Sequence, residues 1–284
     1  YQLTLTNIAN GCTAISSATV VENNDSPNVE AGVTMELNCN NENLSIVGST
    51  SDISTDFIYE WTTADGNIIS GNNDLTIGVD SAGIYQLAIT NTATGCVSTD
   101  EVIITSNFIV PAADAGATDE LNCTQAFATL DGTASSLGAN YIYQWTTTNG
   151  NIITGDNTLN PEVNMLGDYQ ILVTDLVNGC TAVESVFISQ NIIPPAADAG
   201  IANDLTCTNE SIELDGSNSS TGIDFEYLWT TSTGNIIMGN NTLNPMIGEP
   251  GTYELQVTNT TNNCVSTAEI AVDQNIDTPI ADAG

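Results

Sequence analysis

Apolar and polar residues alternate one for one along most of the chain, and the clearest case is YIYQWTTTNGNIITG, Tyr141 to Gly155. Tyr141, Tyr143 and Trp145 alternate with Ile142 and Gln144, a period of two that predicts a β-strand with three rings on one face. The Asn149-Gly150 pair that follows predicts a tight turn, its glycine free to take a positive φ, and Asn151 to Thr154 a returning strand, so the stretch reads as a hairpin. Nearly the same words start at Phe57 and at Phe225. Trp61, Trp145 and Trp229 are spaced by 84 residues and mark one place in three copies of a unit. A lone tryptophan flanked by tyrosines on one strand face predicts the centre of a sandwich core; the alternative is a sugar-stacking platform.

The rest of each copy is also read as strands. In the second, Glu120 to Cys123 and Ala126 to Gly132 precede the tryptophan strand. Tyr169, Ile171 and Val173 then share a face, and Cys180 to Ser189 closes the unit. That makes about seven strands joined by short polar turns with no helical period, and two antiparallel sheets packed face to face bury them. The 84-residue stride divides the chain into 1–32, the last two strands of a preceding repeat plus a linker, and the sandwich repeats 33–116, 117–200 and 201–284. Such an array is expected to continue upstream, unless the two leading strands complete a sheet in a neighbouring molecule. Pro27, Pro111, Pro195 and Pro279 each open an Ala/Asp/Gly segment, which predicts short, semi-rigid joints and an extended rod.

Composition changes the picture chiefly through charge. The chain has no Lys, Arg or His beside 35 acids, a formal charge of −35. It therefore cannot form side-chain salt bridges or neutralise phosphate, which makes nucleic acid and anionic membrane surfaces poor partners. No run of 18 apolar residues is present, so no transmembrane helix is expected. Ser and Cys nucleophiles lack a His or Lys base, and a carboxylate pair copied along an array would be an odd way to place one active site, so no enzyme is expected.

Seven cysteines follow the same stride in two series, Cys12, Cys96, Cys180 and Cys264 against Cys39, Cys123 and Cys207. Without C-x-x-C or histidine, the regularity points to disulfides in an oxidising compartment and not to zinc. Pairing within a unit, Cys39 with Cys96, Cys123 with Cys180 and Cys207 with Cys264, is the favoured scheme and leaves Cys12 to a partner upstream. The alternatives link Cys39 to Cys180 and Cys123 to Cys264 from one copy to the next, or cross the linker from Cys96 to Cys123.

Acids recur at two places, Glu30, Asp114, Asp198 and Asp282 in the linkers and Glu36, Glu120 and Asp204 at the start of the following strand. Six residues apart around a proline-led joint, the pairs Glu30 with Glu36, Asp114 with Glu120, and Asp198 with Asp204 could give carboxylates to calcium, the one cofactor the chain suggests. The bland reading is solvated turn acids, with Asp131 and Asp215 hydrogen-bonding loop backbone.

The glycine two residues before Tyr85, Tyr169 and Tyr253 resembles the tyrosine corner of immunoglobulin-like folds. The order ADAG, cysteine, LDG, YxW, GxYxLxVT and GC, over all three units and the leading fragment, resembles the PKD-like and immunoglobulin-like repeats of very large secreted or surface proteins of Bacteroidetes-type bacteria. The resemblance implies an all-β fold of tandem immunoglobulin-like (PKD-like) sandwiches in the shaft of an extracellular bacterial filament or giant surface adhesin. Its partners would be neighbouring repeats and, in a fibre, identical chains. The alternative is a calcium-assisted glycan- or surface-binding adhesin module.

Overall fold

The computed structural model describes residues 1–23, 25–50 and 56–281, so Asp282 of the linker series lies outside the described residues. Among these the regular elements are all strands. A leading antiparallel hairpin pairs β1 (Gln2–Thr6) with β2 (Thr13–Ser17). The first copy comprises β3 (Met35–Asn38), β4 (Leu44–Val47), β5 (Phe57–Thr63), β6 (Ile68–Ser70), β7 (Thr76–Val79), β8 (Gly83–Asn91) and β9 (Val97–Asn107). The second repeats it as β10 (Glu120–Asn122), β11 (Ala128–Thr129), β12 (Tyr141–Thr147), β13 (Ile152–Thr154), β14 (Glu162–Val163), β15 (Gly167–Asp175) and β16 (Thr181–Asn191). The third has β17 (Leu205–Thr206), β18 (Ile212–Glu213), β19 (Phe225–Thr231), β20 (Ile236–Met238), β21 (Met246–Ile247), β22 (Gly251–Asn259) and β23 (Cys264–Val272), with β24 (Gln274–Asn275) continuing β23 beyond Asp273.

Each copy folds as two sheets over one core. In the first, a sheet of order β3-β9-β8-β5 faces one of order β4-β7-β6, and the second copy repeats both. This is the immunoglobulin-like arrangement, with the tryptophan on the third strand of the copy and a first strand that runs parallel to the last. Chain proximity divides the molecule into two compact units, Tyr1–Val110 with Asp175–Cys180, and Pro111–Thr174 with Thr181–Gly284. The first holds one core and the second holds two. Trp61, Trp145 and Trp229 are buried at the three centres, against Leu87, Ile171 and Leu255, so the rings are core residues and not an exposed platform. The indole nitrogens do not go unsatisfied: each donates to a carbonyl of the following loop, on Asp74, Thr158 and Thr242. Antibody domains carry a cysteine two residues after the corner tyrosine. Here that position is the apolar Leu87, Ile171 or Leu255, so the cores hold no disulfide.

The tyrosine corner forms in all three copies. The hydroxyls of Tyr85, Tyr169 and Tyr253 donate to the carbonyls four residues upstream, on Ser81, Met165 and Glu249, at 2.6, 2.6 and 2.5 Å. Each hydroxyl also accepts from the backbone N–H of Asn67, Asn151 or Asn235. That second bond corrects the expected hairpin after the tryptophan. The Asn151 amide is taken by tyrosine and not by a ladder partner, and the chain crosses to the other sheet, where β13 pairs with β14. The turn glycine is also explained differently. Gly150 is not among the residues of positive φ; a Cβ there would strike the Tyr169 ring, so glycine is required by contact.

Burial pushes the Tyr85 and Tyr253 phenols above their ordinary value of 10.0. A raised phenol stabilises the fold at every pH below about 10, and that contribution is lost as pH rises through the folded value, because the ionised ring cannot donate to Ser81 or Glu249. Circular dichroism of the 284-residue chain between pH 8 and 12 should therefore show unfolding on the alkaline side. Tyr253→Phe should cost about 1–2 kcal/mol at neutral pH by denaturant titration and make the third copy's loss less steep above pH 10.

Candidate functional site

The residues that set this chain apart lie where one copy meets the first and last strands of its neighbour. The structure joins Cys39 to Cys180 and Cys123 to Cys264, each bond spanning 141 residues with Cα atoms 5.0 Å apart. Cys12, Cys96 and Cys207 are free thiols. The favoured within-unit scheme is thereby overturned, and the register of the first strand gives the reason. β3 runs parallel to β9 with Asn38 beside Asn107, so Cys39 sits at the far end of an 11-residue strand whose near end is preceded by Cys96. Cys39 is level with residue 108, 12 residues from Cys96, and at about 3.3 Å per residue the two are separated by about 40 Å, whereas a disulfide needs Cα atoms within about 7 Å. The same holds for Cys123 and Cys180, because β10 lies beside the far end of β16, Asn122 against Asn191. Entropy does not choose between the schemes. Closing 141 residues constrains the unfolded chain by about 5 kcal/mol and closing 57 by about 4, so strand direction decides.

Two turns present each bond. On the first-strand side, Asn38 and Asn41 exchange backbone hydrogen bonds of 3.1 and 3.0 Å, and the Asn38 carboxamide oxygen accepts from the Asn40 and Asn41 amides, which holds Cys39 at the tip. On the last-hairpin side, Asp175 and Cys180 close the turn, and Gly179 takes a φ of 73°. The left-handed position is Gly11, Gly95 and Gly179 in three turns and Asn263 in the fourth, the sole non-glycine residue of positive φ among those described. Asparagine is the usual substitute at that conformation.

An asparagine that sequence reasoning passed over holds the two sides together. Asn178, 1 % exposed, accepts from the Cys180 amide through Oδ1 and donates through Nδ2 to Asn107 Oδ1 at 3.1 Å and the Ile109 carbonyl at 2.9 Å. Asn262, fully buried, repeats each bond with Cys264, Asn191 and Ile193, both donations at 2.9 Å. The Cys123 amide also donates to the Asn262 carbonyl. The signal was in the sequence as Asn-x-Cys at Asn10, Asn178 and Asn262, with threonine at Thr94, and as Asn107, Asn191 and Asn275 one stride apart.

The candidate calcium residues are placed elsewhere. Asp114 and Asp198 turn their carboxylates onto the amides of Gly116 and Gly200, at 2.8 and 2.7 Å, while their own amides donate to Ser135 and Ser219. Glu120 accepts from Ser189 across the parallel pair, Glu36 lies in the β3 ladder opposite Thr105, Glu30 bridges to Ser49, and Asp204 is exposed. Among the described residues no three acids or cysteines gather as a metal would require. Asp131 and Asp215 bond loop residues, as the bland reading had it. The Thr133 and Ser217 hydroxyls, followed by their amides, hold these carboxyls below the ordinary aspartate value. The linker glycines pack above the same loops: Gly116, at φ 77°, leaves no room for a Cβ against the Asp131 carbonyl.

No protein-family model matches the chain, and no curated protein matches it. Solved structures that align with it are distant. A titin I-band fragment, I67–I69, is 11 % identical with a TM-score of 0.39, over 89 % of this chain and 99 % of that one. Drosophila OTK extracellular domains 3–5 are 11 % identical with a TM-score of 0.30, over 92 % and 100 %. The three N-terminal domains of the bacteriophage RB49 outer capsid protein Hoc are 13 % identical with a TM-score of 0.35, over 88 % and 98 %. These likenesses are too remote for any property to be carried across.

Non-reducing peptide mapping should return Cys39–Cys180 and Cys123–Cys264 peptides and no Cys39–Cys96 peptide. Asn262→Ala strands the buried Cys264 amide and two acceptors, and should lower the oxidised chain's stability by about 1–3 kcal/mol by denaturant titration. Chelation should leave the melting temperature unchanged, since the Asp114 and Asp198 carboxylates already accept from backbone amides.

Proposed function

We propose that the chain is a structural repeat segment of an extracellular bacterial filament or giant surface adhesin, non-catalytic and built to carry tension along the polypeptide. Three sandwich repeats, 33–116, 117–200 and 201–284, follow the last two strands of another in 1–32. The observation that carries this reading is the pair of disulfides, each longer than one 84-residue stride and so tying one copy to the next. A pull on the two termini passes through the Cys39–Cys180 bond, along residues 123–180, the shortest span joining the two bonds, and out through the Cys123–Cys264 bond, so that spans 39–123 and 180–264 are shielded from extension. Disulfides of this kind persist outside the reducing cytosol. The absence of any Lys, Arg or His supports a spacer over a binder of anionic surfaces, and the charge of −35 keeps neighbouring shafts apart in solution.

Two experiments test the reading separately. Held by its ends in a force spectrometer, the reduced chain should release about 60 nm more contour than the oxidised one, the extended length of the two 84-residue spans, 39–123 and 180–264, that the overlapping bonds shield. Equal lengths would show that the bonds carry no tension. Immunogold electron microscopy of the native cells should label extracellular filaments, and label confined to the cytoplasm would refute the location.

A further inference from the structure

An asparagine followed by glycine is chemically labile: with no side chain on the next residue, that residue's amide nitrogen reaches the asparagine carboxamide carbon unhindered. Two such steps lie within the sandwich repeats, Asn149-Gly150 and Asn178-Gly179. Asn149 is exposed, and the first copy already carries an acid at its place. Asp65 accepts from the Ile84 amide at 3.0 Å, as Asn149 Oδ1 accepts from the Asp168 amide at 2.9 Å, so an acid keeps that turn. Asn178 belongs to the Cys39–Cys180 joint, and there the amide form is needed. Its Nδ2 donates to Asn107 Oδ1 and to the Ile109 carbonyl, and the residue is 1 % exposed. A carboxylate would set a buried charge against the Ile109 carbonyl, in a chain with no Lys, Arg or His to neutralise it.

Glycine at 179 has two local reasons, its φ of 73° and the Asn40 carboxamide, which a Cβ there would strike. The Cys123–Cys264 joint has Asn263 at the same place, with a φ of 55°, so Asn262 is followed by a side chain and lacks the labile step. When closed, the first joint keeps the step from reacting. The Gly179 amide donates to the Asp175 carbonyl at 2.8 Å, and Asn178 Oδ1 accepts from the Cys180 amide at 2.9 Å. With Nδ2 also held twice, the buried carboxamide cannot turn its carbon toward the Gly179 nitrogen, and solvent base cannot reach that amide.

We propose that Asn178-Gly179 is a deamidation site, open to reaction while Cys39 and Cys180 are thiols and shut by their bond, so that it sets a time limit on forming the first joint. The Gly179 amide nitrogen gives its proton to solvent base and attacks the Asn178 carboxamide carbon. A carbon–nitrogen bond forms, the bond to the side-chain nitrogen breaks, and ammonia leaves a succinimide. Water then opens the ring at either carbonyl. One opening gives aspartate at 178; the other gives isoaspartate, which adds a methylene to the main chain before Cys180. Neither product rebuilds the joint: aspartate has lost the two donated bonds, and isoaspartate also displaces the cysteine. The loss falls on the first joint alone, since Asn262 lacks the glycine. The inference needs neither tension nor an extracellular location, so it can fail while the proposed function stands, and the reverse.

The test incubates the full 284-residue chain at mildly alkaline pH, either reduced or with both bonds formed, and follows Asn149, Asn178 and Asn262 by peptide mass spectrometry. Asn149 should convert in both states and Asn262 in neither. Asn178 should convert at least about ten-fold faster in the reduced chain, because in the oxidised one the reaction waits on opening of the joint. Cys39→Ser leaves the cores and the second bond intact and should expose Asn178 without reductant. After the aged, reduced chain is re-oxidised in a glutathione buffer and alkylated, converted Asn178 should be found beside alkylated Cys180, and intact Asn178 beside Cys180 joined to Cys39. Asn178→Asp should lower the yield of Cys39–Cys180 by about ten-fold against that of Cys123–Cys264. Three results would overturn the proposal: Asn178 converting no faster in the reduced chain than in the oxidised one, Cys39→Ser without effect on it, or converted chains forming the Cys39–Cys180 bond as readily as unconverted ones.

Discussion

The parallel pairing of each copy's first strand with its last is the constraint on which the rest of the structure depends. Had β3 run antiparallel to β9, Cys39 would have finished beside Cys96 and every copy would have closed on itself. Instead Asn38 lies against Asn107, the two cysteines of a copy face opposite ends, and each must find its partner in another copy. The cores make this possible by needing no cross-link. A buried tryptophan, a cornered tyrosine and an aliphatic residue at the usual cysteine position fill the space between the sheets. Both disulfides are thus released for use at the joints.

A chain without cations must find substitutes for the ion pairs other proteins place at such joints. Carboxamides supply them. Asn178 and Asn262 each satisfy a cysteine amide, a second asparagine and a backbone carbonyl, so a neutral group with both donors and an acceptor closes the polar interior that a salt bridge would occupy elsewhere. Burying a neutral amide with its partners met carries none of the desolvation penalty of a buried ion. The acids are left to the turns, where Asp114, Asp131, Asp198 and Asp215 accept from nearby amides and hydroxyls.

How much of this was legible in the sequence depends on the range of the interaction concerned. The period of two around Tyr141 to Trp145, the stride of 84 and the glycine before Tyr169 are local signals, and each led to a feature that formed: strand, copy and corner. The hairpin at Asn151 was misread because its fate is set by a hydroxyl 18 residues away on Tyr169. The within-unit pairing failed for a similar reason. Spacing records how far apart two cysteines are along the chain and is silent on strand direction, which is decided when β3 chooses the parallel edge of β9. The recurrence of linker acids is legible in the sequence but their partners are not: the Asp114 and Asp198 carboxylates accept from the Gly116 and Gly200 amides, and Glu120 accepts from Ser189.

The two bridged spans overlap, since Cys123 lies inside the loop closed by Cys39 and Cys180. Along the chain Cys39 lies 141 residues before its partner and meets Cys96 first. A chain oxidised while still slack would be trapped in the wrong bond. Docking of β3 onto β9 holds those two thiols a strand's length apart, so each copy must fold before it is oxidised, and that order of events is written into the direction of a single short strand.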